Sequence, residues 1–434
     1  MTNQDFSLPQ GTHTVVLGVG DLNGIMRGKR IPASHWPHIC EAGNAISISI
    51  FAIDAACDVW DTPYVNFDTG YPDMHIFPAT KPVPIPWEPG VAICFGRSET
   101  TDHQPVPIDP RVALQRQIKR AQDMGFEVLA GPELEFFLLD PETNLPRDKG
   151  IGVYGLDRAA ELEDVLGPIR TQINEILPIE QSNPEYAPGQ VEVNLRYCEA
   201  LLAADRIVLF RTLVKQLAMR HGYKATFMAK PFIEHGGNGF HCHYSLWKDG
   251  QNVFATDGKF NETGRAFLGG MQKRMAEASI CGAATVNAYR RREPYTFCPV
   301  NTAWGIDNRT AGLRVIEGSN SATRIEKRDA GADCNPYLLL AADIAAGLDG
   351  IEQGLEPGPI CTGNAYEDET ASPLPLNLAS AIDLARNSPW LKEVLGDVMW
   401  EIYAQLCERE LAVYEKYMAT RVTQLERDRY LDAF

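Results

Sequence analysis

The segment VLAGPELEFFLLD, residues 128–140, alternates polar and apolar residues around its two glutamates. Successive side chains of a β-strand point to opposite faces of the sheet, so Glu133, Glu135 and Phe137 share one face of a predicted strand. The residues between them are apolar and face the other side. The segment therefore predicts a strand that covers a hydrophobic core with one face and presents two carboxylates on the other.

Three further segments, QVEVNL, GFHCHYSLW and TRIEKRD, repeat this alternation. Their polar faces hold Gln190, Glu192 and Asn194, then His241, His243 and Ser245, then Arg324, Glu326 and Arg328. For a single strand, the alternative interpretation is the solvated face of a half-exposed sheet. Four such faces composed of carboxylates, imidazoles and guanidinium groups favour a shared functional surface instead.

The chemistry of these polar faces indicates a metal site. Carboxylates that line one concave surface repel one another unless cations neutralise them. Carboxylate oxygens with a histidine and no thiolate suit Mg²⁺ or Mn²⁺ better than zinc. Interleaved arginines suit phosphate and carboxylate groups. The combination predicts phosphoryl transfer rather than hydrolysis by a lone carboxylate pair.

A second arginine cluster follows in NAYRRREP and WGIDNRTAGLRV, which contain Arg291, Arg309 and Arg314. A structural ion pair is the alternative for any one of them. The glycine-rich EHGGNGFH is either a turn or a phosphate loop, and it lacks the Lys-Ser/Thr of a P-loop.

Composition limits the class of protein. A chain of 434 residues is long enough for two domains, and its formal charge of -17 argues against a nucleic-acid partner. No apolar run reaches the ~20 residues that span a bilayer, and MTNQDFSLPQGTH lacks the features of a signal peptide. We therefore expect no membrane partner and a cytoplasmic location. The ten cysteines are scattered without a CxxC pair, which indicates reduced and mostly buried thiols.

The chain divides into a β-rich first part and a mixed remainder. Short β-like runs broken by Pro and Gly fill residues 13–100, and Asp109-Pro110 is a helix-start signal. The segment from Asn335 onwards is helical in pattern. We predict an N-terminal domain over residues 1–105 and a catalytic domain over residues 106–434.

Five motifs in order resemble the glutamine synthetase family over essentially the whole chain: GPELEFFLLD, NPEYAPGQVEVNL, GGNGFHCHYSLW, DNRTAGLR and RIEKRDAGADCNPYLLLAADIAAGLDGI. The resemblance implies an α+β fold with a β-grasp N-terminal domain. The catalytic domain would be built on a curved antiparallel sheet with helices. It also implies a homo-oligomer of stacked rings in which neighbouring subunits share active sites.

Carried over residue by residue, the resemblance implies a site for two metal ions, ATP, glutamate and an amine. The metal ligands would be Glu135, Glu185 and Glu192 for one ion, and Glu133, His241 and Glu326 for the other. The ATP-binding positions would be His243, Ser245, Arg309, Arg314 and Arg324. Glutamate would be held by Arg291, Arg328 and the Gly237 backbone. Tyr154 and Asp54 match residues of the ammonium pocket, with Asp54 supplied by the adjacent subunit.

Three departures from the family pattern concern the amine. The family's Asp-Gly-Ser-Ser run reads Asp54-Ala55-Ala56-Cys57 here, Phe297 stands where a flap glutamate is expected, and Gly236 replaces an asparagine. In these respects the chain resembles the γ-glutamylamide branch, which includes γ-glutamylputrescine and γ-glutamylmethylamide synthetases. An alkylamine needs room and an apolar wall, and Phe297 supplies such a wall.

The sequence thus predicts an ATP-dependent ligase that forms a γ-glutamyl amide from glutamate and a primary amine through γ-glutamyl phosphate. Glu185 or Asp54 would accept the proton of the amine, and Arg309 would stabilise the transferring phosphoryl group. The alternatives are a glutamine synthetase that uses ammonium and a non-catalytic homologue, although all six metal-ligand positions are present. The identity of the amine and the ring size stay open.

Overall fold

The computed structural model describes residues 5–147, 150 and 152–433 of the chain. Its strands are β1 (Thr14–Gly20), β2 (Met26–Pro32), β3 (Asn44–Ser47), β4 (Asp73–Pro78), β5 (Val83–Pro84), β6 (Val91–Glu99), β7 (Glu127–Leu139), β8 (Ile179–Pro184), β9 (Gln190–Leu195), β10 (Cys198–Glu199), β11 (Lys224–Thr226), β12 (Gly239–Lys248), β13 (Gln251–Asn252), β14 (Ala255–Thr256), β15 (Lys259–Phe260), β16 (Trp304–Ile306), β17 (Leu313–Ile316) and β18 (Arg324–Gly331). Its α-helices are α1 (Trp36–Ala42), α2 (Pro110–Asp123), α3 (Leu156–Glu161), α4 (Glu163–Gln172), α5 (Ala200–Arg220), α6 (Glu262–Arg274), α7 (Ser279–Gly282), α8 (Pro336–Gln353), α9 (Leu378–Arg386), α10 (Pro389–Leu395), α11 (Asp397–Ala419) and α12 (Gln424–Tyr430).

The N-terminal part of the chain forms a six-stranded sheet with strand order β2-β1-β6-β4-β3, and β5 pairs with β6. Strands β1 and β6 run parallel, whereas the other neighbours are antiparallel. Apolar residues such as Leu17 and Ile93 are buried on this sheet. The predicted domain boundary falls between β6 and α2, and it stays a prediction.

The larger sheet has ten strands and follows the order β16-β17-β18-β12-β7-β9-β8, with β10 and β11 on β7 and β13 on β12. Its neighbours are antiparallel except for β16 and β17. The four strands singled out in the sequence are contiguous in it, in the order β18-β12-β7-β9. This contiguity brings their polar faces together.

Helix α8 supports the larger sheet. Its residues from Pro336 to Gly350 are all buried, as expected for a helix that is apolar on every side. Asn335 caps the helix by accepting hydrogen bonds from the backbone N–H groups of Tyr337 and Leu338. The same side chain donates to the carbonyls of Asp21 and Leu22, and so links the start of α8 to the loop that follows β1.

The predicted α+β class and its two-sheet architecture are confirmed. The predicted helix start also holds, because Asp109 caps α2 by accepting from the Arg111 N–H. All ten cysteines are free thiols, and seven of them are buried. Within residues 5–147, 150 and 152–433, no helix is long and apolar enough to cross a bilayer.

Candidate active site

Strand pairing aligns the predicted polar residues into rows across the sheet. Directly opposed residues in antiparallel strands have Cβ atoms about 4.5–5.5 Å apart, so their side chains interact. The opposed pairs are His241 with Glu133, Glu133 with Asn194, Glu135 with Glu192, His243 with Glu326, and Glu326 with Arg314. The four polar sets therefore form one surface.

This surface is buried rather than solvated. Glu326 is 0% exposed, Gln190 3% and Glu192 8%. Charged and polar groups are seldom buried so deeply unless they are paired or bind a ligand. The alternative of solvated strand faces is therefore wrong for these strands.

The opposite face of β18 differs from the sequence-based prediction. Alternation predicted apolar residues there, but Lys327 is 4% exposed and forms ion pairs with Asp329 at 2.9 Å and Asp343 at 3.0 Å. Tyr244 donates to Asp343 at 2.8 Å. The prediction failed because these charges compensate one another inside the core, where alternation alone would place apolar side chains.

The polar surface forms the floor of a cavity of about 590 Å³. Most of the predicted site residues line it: Glu133, Glu135, Tyr154, Glu185, Glu192, Gly237, His241, His243, Arg291, Phe297, Arg309, Arg314, Arg324 and Arg328. Glu326 lies beside it, 3.5 Å from His241 Nδ1. Segments far apart in the sequence thus meet at one place.

Two groups of acidic and imidazole side chains bring their ligand atoms within 4.8 Å of one another. One is Glu133, His241 and Glu326, the set that the resemblance implies for the metal beside ATP. The other is Glu135, Glu192 and His241. Glu185 lines the same cavity, but its carboxylate accepts a hydrogen bond from Asn183 Nδ2 at 3.1 Å.

Neighbouring imidazoles and guanidinium groups compensate the first group. Burial opposes ionisation of Glu133, but hydrogen bonds from His241 and His243 outweigh it and hold its pKa well below its usual range. Burial likewise opposes ionisation of Glu326, but Arg328 and the two histidines lower its pKa to about 2. Both carboxylates are therefore ionised at neutral pH.

The second group lacks such compensation. Burial and the charge of Glu135 raise the pKa of Glu185 to about 8. Burial and the charges of Glu133 and Glu135 raise the pKa of Glu192 to about 9. A cavity in which carboxylates hold protons at neutral pH has an excess of negative charge, and its oxygen-rich donor set fits a hard divalent cation.

The arginines on the β17–β18 side differ in how they are engaged. Arg314 donates to Glu326 at 2.9 Å and to Asp307 at 2.5 Å. Arg324 donates to His243 Nδ1 at 3.1 Å, so His243 Nε2 carries a proton and donates to Glu133 at 2.9 Å. Arg309 is exposed, and no carboxylate of the described residues lies within 4 Å of it. Its guanidinium is available to an anion.

Arg291 and Arg328 are buried beside the cavity. Arg291 donates to the Ala330 carbonyl at 2.8 Å, and Arg328 donates to Glu326 at 2.5 Å. The Nε atom of each has no hydrogen-bond partner among the described residues. Buried guanidinium groups with unused donors are suited to a carboxylate ligand.

The Gly236-Gly237 segment lies next to Arg291. A Cβ atom on Gly237 would lie 2.5 Å from the Arg291 side chain and 2.6 Å from the Ala229 carbonyl, so the position requires glycine. Its carbonyl accepts from Gln190 Nε2 at 3.2 Å. The backbone is thus held close to the cavity, as the resemblance implies.

Aromatic side chains form a wall along one side of the cavity. Only part of this wall was predicted from the sequence. Phe297 stacks on Tyr186, with ring centroids 5.8 Å apart and an interplanar angle of 23°. Tyr154 and Tyr295 also line the cavity. Tyr186 follows Glu185 directly, which is the only sequence signal that could have indicated it. Its contact with Phe297 depends on the fold.

Two predicted site residues lie elsewhere in the single chain. Asp54 accepts from Arg409 Nε at 3.0 Å and from the backbone N–H groups of Ala56 and Asp58 at 2.9 Å. Ser245 accepts from Trp247 Nε1 at 2.9 Å. Neither lines the cavity, so their roles stay predictions, and that of Asp54 requires a second subunit.

Known proteins resemble this chain along most of its length. Residues 107–430 match the sequence profile of the glutamine synthetase catalytic domain. The chain is 33% identical to a glutamate–isopropylamine ligase of Pseudomonas sp, over 99% of this chain and 97% of that protein. It is 35% identical to the γ-glutamylethanolamide synthetase GlnA4 of Streptomyces coelicolor, over 93% of this chain and 90% of that protein.

Similarity extends to glutamine synthetases and to a solved structure. The glutamine synthetase of Thermococcus kodakarensis is 33% identical over 96% of this chain and 95% of its own. A GmaS/ADP complex superposes with a TM-score of 0.86 at 31% identity and covers 98% of this chain and 97% of its own. The matched profile, the relatives and the shared fold lead to one conclusion: this chain belongs to the glutamine synthetase family.

Proposed function

We propose that the protein is an ATP-dependent ligase that joins the γ-carboxylate of glutamate to a primary amine and releases ADP and phosphate. The observation that carries the choice of an amine is the position of Phe297. Its ring lines the same cavity as the carboxylate and imidazole groups, where the resemblance implies a flap glutamate in a site for ammonium. An apolar wall beside the reacting groups favours a substrate that carries carbon.

Mg²⁺ or Mn²⁺ would be held by two sets of ligands. Glu133, His241 and Glu326 would form one, and Glu135 and Glu192 with the nearby Glu185 would form the other. When bound, the metals would neutralise charge on the transferring phosphoryl group. The raised pKa values of Glu185 and Glu192 support this assignment, because they reflect negative charge that neighbouring residues do not balance and that a divalent cation would balance.

The remaining cavity residues would bind the two anionic substrates. Arg309, Arg314 and Arg324 with His243 would contact the phosphates of ATP, and the unpaired Arg309 is best suited to stabilise the transferring group. Arg291, Arg328 and the Gly237 backbone would orient glutamate so that its γ-carboxylate attacks the γ-phosphate and forms γ-glutamyl phosphate. The free amine would then displace phosphate from the acyl carbon.

The proton of the attacking amine needs an acceptor. Glu185 lines the cavity beside the aromatic wall. Its carboxylate would be ionised when the proposed metals are bound, and it could then accept the proton within one chain. Asp54 would act only across a subunit boundary. The geometry of the single chain favours Glu185, and Asp54 would then help to bind the cationic form of the amine.

The second candidate is glutamine synthetase, because Glu185 and Tyr154, which the resemblance relates to proton acceptance and to the ammonium pocket, both line the cavity. The test of the function is product analysis by mass spectrometry after incubation with ATP, Mg²⁺, glutamate and isopropylamine. We expect γ-glutamylisopropylamide and ADP in equal amounts, and γ-glutamyl hydroxamate when hydroxylamine replaces the amine. Absence of glutamate-dependent ATP turnover with every amine and with ammonium would refute the assignment.

Stability should reveal the uncompensated carboxylates. In the metal-free protein, Glu185 and Glu192 hold protons up to about pH 8 and about pH 9, whereas in the unfolded chain they lose them near pH 4.5. The native state therefore binds more protons in this window, and the free energy of unfolding falls as pH rises. We expect Tm in the presence of a chelator to decrease from about pH 5 to about pH 9.

Saturating Mg²⁺ should raise Tm most at the upper end of this window, because the ionised carboxylates bind the cation. Glu192→Gln, measured in the same buffers, should flatten the metal-free decline. A metal-free Tm that does not change with pH between these limits would contradict the assignment of the two carboxylates.

We propose that the protein is a homo-oligomer of stacked rings in which Asp54 completes the site of a neighbour. Asp54→Ala and Glu326→Gln should each be inactive alone. After dissociation and reassembly of an equal mixture, roughly one quarter of the sites would combine both intact residues and regain activity. A fully active monomer by light scattering, or no activity in verified mixed oligomers, would contradict the shared site.

A further inference from the structure

Two aromatic rings from distant parts of the chain form a single wall in the cavity. Tyr186 belongs to the turn after β8, and Phe297 belongs to the turn that follows Arg291. Tyr186 is 48% exposed and Phe297 43%, although they stack on one another. Both residues therefore keep exposed surface, and both line the cavity that Glu185 also lines.

The turn that carries Phe297 is held in an unusual conformation. Phe297 has φ 60° and Tyr295 φ 65°, values that cost free energy for bulky residues and persist only where surrounding contacts impose them. Thr296 Oγ1 donates to the Glu293 carbonyl at 2.7 Å, and Tyr295 donates to Glu367 at 3.1 Å. These hydrogen bonds anchor the turn that carries Phe297, and the ring itself packs on Tyr186.

The turn that carries Tyr186 is anchored as well. The backbone N–H of Glu185 donates to the Gln190 carbonyl at 2.9 Å, and the Ala187 N–H donates to Gln190 Oε1 at 3.3 Å. Gln190 is buried at the start of β9. These hydrogen bonds anchor the backbone on both sides of Tyr186.

We infer that the Tyr186–Phe297 pair binds the substituent of the amine, and that it selects a small apolar monoamine over amines that end in a hydroxyl or a second ammonium group. This inference rests on the proposed function and adds Tyr186 as a specificity-determining residue. Methyl groups that cover the two rings release water from apolar surface. A hydroxyl or ammonium group in the same place loses hydration without a matching partner.

Three polar groups near this wall, Glu367, Thr296 and Glu185, are already engaged or assigned. Glu367 accepts from Tyr295 and from Asn364 Nδ2 at 2.8 Å, and the Thr296 hydroxyl donates to a carbonyl. Glu185 faces the reacting nitrogen in the proposed mechanism. When bound, the proposed metals would offset the excess negative charge of the carboxylates. A second ammonium group over the rings would then keep only the weak attraction of the aromatic faces against the cost of its desolvation.

Three amines with equal numbers of heavy atoms test the inference: propylamine, ethanolamine and ethylenediamine. Their kcat/KM values are compared at equal free-base concentration, with ATP and glutamate saturating. We expect propylamine to exceed each of the others by about tenfold or more, which corresponds to about 1.4 kcal/mol. In Tyr186→Ala the preference should fall to within about threefold while KM for glutamate and ATP is unchanged.

Tyr186→Phe retains the stacked ring and should keep the preference. Met219→Ala removes an exposed apolar side chain at the end of α5, outside the cavity, and should change nothing. The inference is overturned if kcat/KM for ethanolamine or ethylenediamine equals that for propylamine in the unaltered protein, or if the preference is unchanged in Tyr186→Ala. Either result would leave the proposed function intact. If the protein uses ammonium but none of the three amines, both the proposed function and the inference are overturned.

Discussion

Glu326→Gln should abolish Mg²⁺-dependent ATP turnover while the protein stays folded. The side chain is fully buried, and its carboxylate lies within 4.8 Å of the ligand atoms of Glu133 and His241. An amide in its place has one oxygen and no charge, so the proposed metal would lose its most enclosed ligand. Because metal assistance contributes several kcal/mol, we expect a loss of roughly 10²–10⁴-fold in kcat.

The glutamine variant is preferable to alanine for a structural reason. Glu326 accepts from Arg314 and Arg328, so its complete removal would leave two guanidinium groups without their partner. Glu127→Gln, at the exposed start of β7, is the matched control and should retain full turnover. Near-normal turnover in Glu326→Gln, with Mg²⁺ affinity unchanged by calorimetry, would remove the metal assignment.

Phe297→Glu should shift the protein from alkylamines towards ammonium. The substitution restores a carboxylate where the family is expected to carry one and removes half of the stacked aromatic wall. Each buried methylene contributes ~0.8 kcal/mol, so two or three buried carbons give roughly a 10–50-fold preference that the variant would lose. Ammonium should gain, because an additional negative charge offsets the desolvation of a small cation.

The measurement is kcat/KM for isopropylamine and for ammonium in both proteins. Phe297→Leu keeps an apolar side chain without the ring, and it should reduce amine efficiency without improving ammonium. If Phe297→Glu leaves the ratio of the two efficiencies unchanged, position 297 does not contact the amine.

Local alternation was sufficient to predict the polar floor of the site. A strand has only two faces, so the grouping of Glu133 with Glu135 and of His241 with His243 follows from sequence spacing. That these groups meet across strands required the strand order, which spacing does not contain. The resemblance implied only that these groups share one site, and the strand order of the structure places His241 opposite Glu133.

Features that depend on tertiary packing could not be predicted from the sequence. The stacking of Tyr186 on Phe297 joins two turns that no local pattern connects. The buried ion pairs of Lys327 contradict a rule of alternation that assumes an apolar core, and they are tolerated because Asp329 and Asp343 lie on either side. Asp54 remains a prediction, since its proposed partner site belongs to another subunit.

A competition experiment between ammonium and an alkylamine distinguishes a γ-glutamyl amide ligase from a glutamine synthetase. The protein is incubated with ATP, Mg²⁺, glutamate and equal concentrations of ammonium and isopropylamine free base, and the two products are quantified together by mass spectrometry. Their ratio equals the ratio of the two kcat/KM values, independent of enzyme concentration. We expect more γ-glutamylisopropylamide than glutamine. Glutamine in excess over the amide, with isopropylamine and with every other primary alkylamine tested, would show that the protein is a glutamine synthetase.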